Sequence, residues 1–86
     1  MEEFNLGLDL VEFVMSVEEE FDFDIPDEIR STLVTPRKVI DYLSFQTSRP
    51  RDEIAETVWK FLEYETGIDK SNFTEDSRFI EDMGID

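Results

Sequence analysis

Leu8-Asp9-Leu10-Val11-Glu12-Phe13-Val14-Met15-Ser16-Val17-Glu18-Glu19-Glu20-Phe21 is the stretch on which the fold turns. Its apolar residues Leu10, Val14, Val17 and Phe21 recur at helical spacing, so one stripe is expected to face a core. A second apolar row, Leu8, Val11 and Met15, lies on a neighbouring face, with Glu12, Glu18, Glu19 and Glu20 at or beside its edge. Two rows are more than one core contact needs, so part of the second is expected to stay exposed. Asp9 falls in the first turn, where negative charge suits the helix dipole.

Outward from this helix, Phe21 to Pro26 reads as a connection. Pro26 holds Ile25 extended and suits the start of a short helix over Asp27 to Ser31. Thr35-Pro36 predicts a helix start, with Thr35 as N-cap and Pro36 at the first position. Val39, Ile40 and Leu43 then face the core up to about Phe45, with Tyr42 a further candidate. Gln46 to Arg51 is polar, carries a proline, and reads as a linker of ordinary length. From Asp52 to Tyr64, Ile54, Val58, Phe61 and Leu62 form a helical stripe with Ala55 beside it, and Gly67 is placed to end the helix. Ile68 to Asp86 reads as a long acidic loop anchored by Ile68, Phe73, Phe79, Ile80 and Met83. The pattern predicts an all-α bundle of three main helices plus a short one. Its expected core includes Val14, Val17, Phe21, Ile25, Leu33, Val39, Ile40, Val58, Phe61 and Phe79, with Trp59 at the boundary.

Composition narrows the function. A chain of 86 residues makes one domain, and 40% hydrophobic residues suit a folded one. Asp and Glu number 23 against 8 Lys and Arg, a formal charge of -15. That charge disfavours nucleic acid and anionic lipid and favours basic partners. Cysteine and histidine are both absent, which removes thiolate chemistry, the commonest general base and the commonest metal ligand. Together with the lack of a nucleophile elbow, this makes the chain read as a non-enzyme. Asp76, Glu81, Asp82 and Asp86 have no EF-hand spacing, so no dedicated metal site is expected. No apolar run reaches membrane-spanning length and no signal-peptide pattern opens the chain, so it reads as soluble and cytoplasmic.

The run from Leu8 to Glu28, continuing through Val34-Thr35-Pro36-Arg37-Lys38-Val39-Ile40-Asp41-Tyr42-Leu43, resembles the second helix, following loop and last helix of the acyl carrier proteins. About twenty ordered positions of that family's pattern recur in it. Ile54 to Gly67, Asn72-Phe73 and Phe79-Ile80-Glu81-Asp82-Met83-Gly84-Ile85-Asp86 resemble the family's first helix and long first loop, which in ordinary members come first. The order here is that of a circular permutant opened at the attachment site, with residues 8–45 and 52–86 as its halves and 46–51 as the new join.

The resemblance implies a carrier-protein bundle, and also 4'-phosphopantetheine on a serine, yet that serine is missing. Gly7 aligns with it, and in the permuted reading Asp86 aligns with the aspartate before it; Asn5-Leu6-Gly7 can instead be a shortened copy of the segment preceding the site. Ser16, Ser31, Ser44, Ser48, Ser71 and Ser77 all lie in other contexts, so no cofactor is predicted. The resemblance further implies docking on basic surfaces of carrier-dependent synthases or acyl transferases in fatty-acid or polyketide-type thioester metabolism. By position the docking residues are Asp9, Glu12, Glu18 and Glu19, with apolar contacts from Leu8, Val11 and Met15. The alternative is an acidic interaction or regulatory protein that keeps only the carrier fold and binds some other basic partner. The short linker leaves open a monomer or a dimer that exchanges halves.

Overall fold

The computed structural model describes residues 8–85, with side-chain surroundings from Asp9 onward. It is an all-α, four-helix bundle: α1 (Leu8–Phe21), α2 (Asp27–Arg30), α3 (Pro36–Gln46) and α4 (Arg51–Thr66), followed by a 3-10 turn (Lys70–Asn72). No strand occurs among the described residues.

Helix α1 buries Leu10, Phe13, Val14, Val17 and Phe21. The expected stripe is thus inward, and Phe13, which that stripe omitted, lies beside it in a wider buried arc and is only 1% exposed. The second row splits as two rows on one helix must: Val11 is half-buried while Met15 is 53% exposed. Asp22 ends the helix in the left-handed region at φ 61. There its N–H and that of Phe23 both donate to the Glu18 carbonyl, closing the last turn. Glu18 then fastens the turn that follows. Its Oε2 accepts from the Ile25 N–H at 2.8 Å and from Arg30 Nη2 at 3.0 Å. Arg30 also donates to the Ile25 carbonyl, so the entry into α2 is held from both sides.

Thr35 caps α3 as its sequence implies, its hydroxyl accepting from the Lys38 N–H at 3.2 Å. Pro36, Val39, Ile40 and Leu43 are buried beneath it. Residues 47–50 connect α3 to α4, which starts one residue earlier than expected, at Arg51. Arg49 lies over the Phe21 ring at 4.5 Å and donates to the Glu20 carbonyl, covering the C-terminal end of α1. Helix α4 is central: α1 and α3 both pack on it, around Ile54, Val58 and Leu62. Gly67, in the left-handed conformation at φ 79, donates to the Glu63 carbonyl and stops the helix.

The segment after Gly67 runs back across the bundle. Phe79, Met83 and Ile85 are buried, and Phe79 meets Phe13 edge-on at 5.8 Å. A tight turn through Gly84 (φ 71) returns the Ile85 N–H to the Phe79 carbonyl. That turn aims Ile80 outward, so the expected anchor is 47% exposed and Ile85 fills the core instead. Leu33 and Phe61, both expected in the core, pack half-buried against it. Ion pairs clamp the segment in place. Arg37 forks onto Asp76 (2.6 and 3.1 Å), while Arg51 bridges Glu75 (2.8 Å) and Asp41 of α3 (3.1 Å). The guanidiniums hold the carboxyls of Glu75 and Asp76 below the usual carboxylate range, through hydrogen bonds from Arg51 and Arg37 respectively.

Candidate functional site

With one arc of α1 committed to the core, the other arc presents Asp9, Glu12, Met15 and Glu19 to solvent, with Val11 and Ser16 half-buried at its margins. A half-exposed methionine at the centre of this arc has no packing role of the kind that Val14 or Val17 performs. It separates two surface hollows. One, of ≈ 420 Å³, is lined by Met15, Glu18, Glu19, Asp22, Phe23 and Asp24. The other, of ≈ 240 Å³, is lined by Glu12, Met15, Ser16, Glu19 and Glu65. Met15 and Glu19 belong to both.

The structure thus brings together Glu12, Met15 and Glu19 from the sequence-derived docking set, with Asp9 exposed on the same helix. Glu18 differs from them. Its side chain is 15% exposed, and its carboxylate holds the Ile25 N–H and Arg30. It contributes negative charge to the rim while serving the turn. The side chain of Leu8, and Gly7 and Asp86, lie outside the described residues. Sequence reasoning missed Glu65, which comes from α4 and accepts a hydrogen bond from Ser16 Oγ at 2.7 Å. It also missed Asp22, Phe23 and Asp24. The acidic-aromatic-acidic run Asp22-Phe23-Asp24 was a visible signal, whereas Glu65 depends on how α1 packs against α4.

The charges around this face are lopsided. Arg30, Arg37, Arg49, Arg51 and Arg78, all five arginines of the chain, are engaged in ion pairs within the fold. Among the described residues, no basic side chain pairs with Glu12 or Glu19. The face can therefore attract a cationic surface over distance and seat an apolar contact on Met15, with Phe23 at the edge. No group of three or more acidic side chains converges closely enough to hold a metal ion among the described residues.

A third hollow, of ≈ 150 Å³, opens between α1, the α2–α3 connection and the last segment, and includes Leu10, Leu33, Val34, Phe79 and Ile80. Arg30 and Arg78 stand at its edge, paired with Glu18 and Asp82 respectively.

No serine among the described residues lies in the first turn of α1. Ser16 is two turns into the helix and bonded to Glu65; Ser31 donates to the Glu28 carbonyl; Ser71 donates to Asp69; and Ser77 accepts from the Thr74 N–H. The Ser44 hydroxyl is buried without a partner among the described residues, and Ser48 lies exposed in the α3–α4 connection. No family model matches the chain, and no solved structure matches it.

Proposed function

We propose that this protein is an acyl-carrier-like docking module of thioester metabolism, in permuted order, which engages basic surfaces of synthases or acyl transferases without itself carrying phosphopantetheine. The observation that carries the docking half of this reading is Met15, 53% exposed between two acid-lined hollows on α1. The identity of the partners rests on the sequence resemblance. The element order supports it: a long acidic helix, a short helix, a Thr-Pro-capped helix, then a central helix and a long segment. Phe79 of that segment packs on Phe13 of α1 and lines a hollow together with Leu10, and this supports the permuted order.

The test is titration of the protein against a purified carrier-dependent acyl transferase at low salt. Glu12→Lys/Glu19→Lys should abolish binding while the helical spectrum persists. Unchanged binding would remove α1 as the docking element. Intact-mass spectrometry after incubation with coenzyme A and a broad-specificity phosphopantetheinyl transferase should show no added mass; a gain of one phosphopantetheine would overturn the non-carrying part. The lack of a suitable serine also favours a second reading, an acidic interaction protein with the carrier fold alone. It is distinguished by failure to bind any carrier-dependent enzyme while binding a basic partner through the same face.

A further inference from the structure

We infer that the docking face is built from two helices: Ser16 positions Glu65 of α4 so that a partner's arginine enters the seam between α1 and α4. This rests on the reading of α1 as a docking element and goes beyond it, because α4 carries no part of the sequence-derived set.

Ser16 Oγ donates to Glu65 Oε2 at 2.7 Å, a bond between residues 49 positions apart in the chain. Ser16 is half-buried on the shoulder of α1, and Glu65 is half-buried near the end of α4. The hydroxyl occupies one lone pair of the carboxylate, and both residues line the hollow with Glu12, Met15 and Glu19. The bond restrains the carboxylate near the end of α4, and among the described residues no other hydrogen bond occupies its second oxygen.

The hollow combines three carboxylates with a thioether wall. Arginine suits this combination better than lysine. Its planar fork can meet a carboxylate through two donors, and its stem can lie along Met15. The occupant to which the face commits is therefore a helix of a basic partner protein, with one arginine in the seam and a second cationic side chain across Met15 toward Glu19, Asp22 and Asp24. Charge complementarity argues for it: the chain has a formal charge of -15, and its arginines are all held within the fold.

The probe is a capped, alanine-based peptide with arginines spaced four residues apart along one helical face, titrated at low salt and followed through amide chemical shifts. Glu65→Gln should weaken its binding about threefold, the effect of one partly exposed charge pair. Glu56→Gln makes the same charge change on the opposite side of α4 and should leave binding unaltered. Ser16→Ala should weaken binding in the wild-type background and do nothing further in the Glu65→Gln background, while Ser16→Thr restores it. That non-additivity separates positioning from a general loss of stability. Equal effects of Glu65→Gln and Glu56→Gln, with binding abolished by Glu12→Lys/Glu19→Lys, would overturn the two-helix face and leave α1 docking intact. No effect of the double reversal on peptide binding would overturn both.

Discussion

Carboxylates at the two ends of this molecule have opposite employments. Where α3, α4 and the last segment meet, Asp41, Glu75 and Asp76 are matched to Arg37 and Arg51, and the backbone follows: the Arg37 N–H donates to the Glu75 carbonyl at 2.9 Å. On α1, Glu12 and Glu19 border a half-exposed methionine and, among the described residues, pair with no base. Acidic charge closes the fold in the first place and is left outward in the second. Glu18 shows that the boundary runs between adjacent residues, since it serves the turn while Glu19 faces the hollows. A net charge therefore says little about which carboxylates bind and which hold; their partners do.

The largest expected effect breaks the comparison at its apolar level. Phe79→Ala removes a buried ring that packs on Phe13 and should cost about 3–4 kcal/mol, enough to unfold much of a domain this small. Met15→Ala should change stability by no more than about 0.5 kcal/mol and yet weaken binding to a carrier-dependent enzyme several-fold. Urea unfolding and a binding titration on the same two variants check the pair; a strongly destabilised Met15→Ala would place Met15 in the core.

Charge gives the next contrast. Arg51→Ala should cost about 1 kcal/mol, discounted for the solvent that reaches its ion pairs, and thermal melting reads it directly. The acid limb follows from the same cluster. Glu75 and Asp76 have folded-state affinities for protons held below those of the unfolded chain. Their contribution is therefore fully present above the ordinary carboxylate range and is lost as pH falls through the depressed folded values, below about pH 4. Glu75→Gln/Asp76→Asn should flatten the pH dependence of the melting temperature in that window. A dependence as steep as wild type would assign the acid limb to other carboxylates.

A small gain in stability is expected at the junction of the two regions. Asp22 ends α1 at φ 61, where a side chain is strained. Asp22→Gly should raise stability by about 0.5–1 kcal/mol in urea unfolding while removing one carboxylate from the rim.

Much of the fold was legible because local rules and tertiary packing agree. The stripe Leu10–Val14–Val17–Phe21, the Thr35-Pro36 helix start and the Gly67 stop all act as their chemistry dictates. Phe13 escaped because a strict stripe omitted a residue that the width of the buried arc takes in. Ile85 fills the core where Ile80 was the expected anchor, because a turn through Gly84, and no periodic element, decides which of them faces inward. On the proposed docking face, helical spacing put Met15 in a second apolar row bordered by Glu12 and Glu19, and the family resemblance implied their role. Glu65 was not legible, since only the packing of α1 on α4 brings it to Ser16, and nothing in the Glu18-Glu19-Glu20 run marks which carboxylate turns inward.

The most direct test of this division of labour is the urea unfolding of Glu12→Lys/Glu19→Lys. Carboxylates kept outward for a partner should be dispensable to the fold, and replacing them relieves self-repulsion in a chain of formal charge -15. The predicted result is a midpoint equal to or above wild type with an unchanged denaturant slope. A fall in stability of about 1 kcal/mol or more would contradict the account, because those carboxylates would then be holding the structure together.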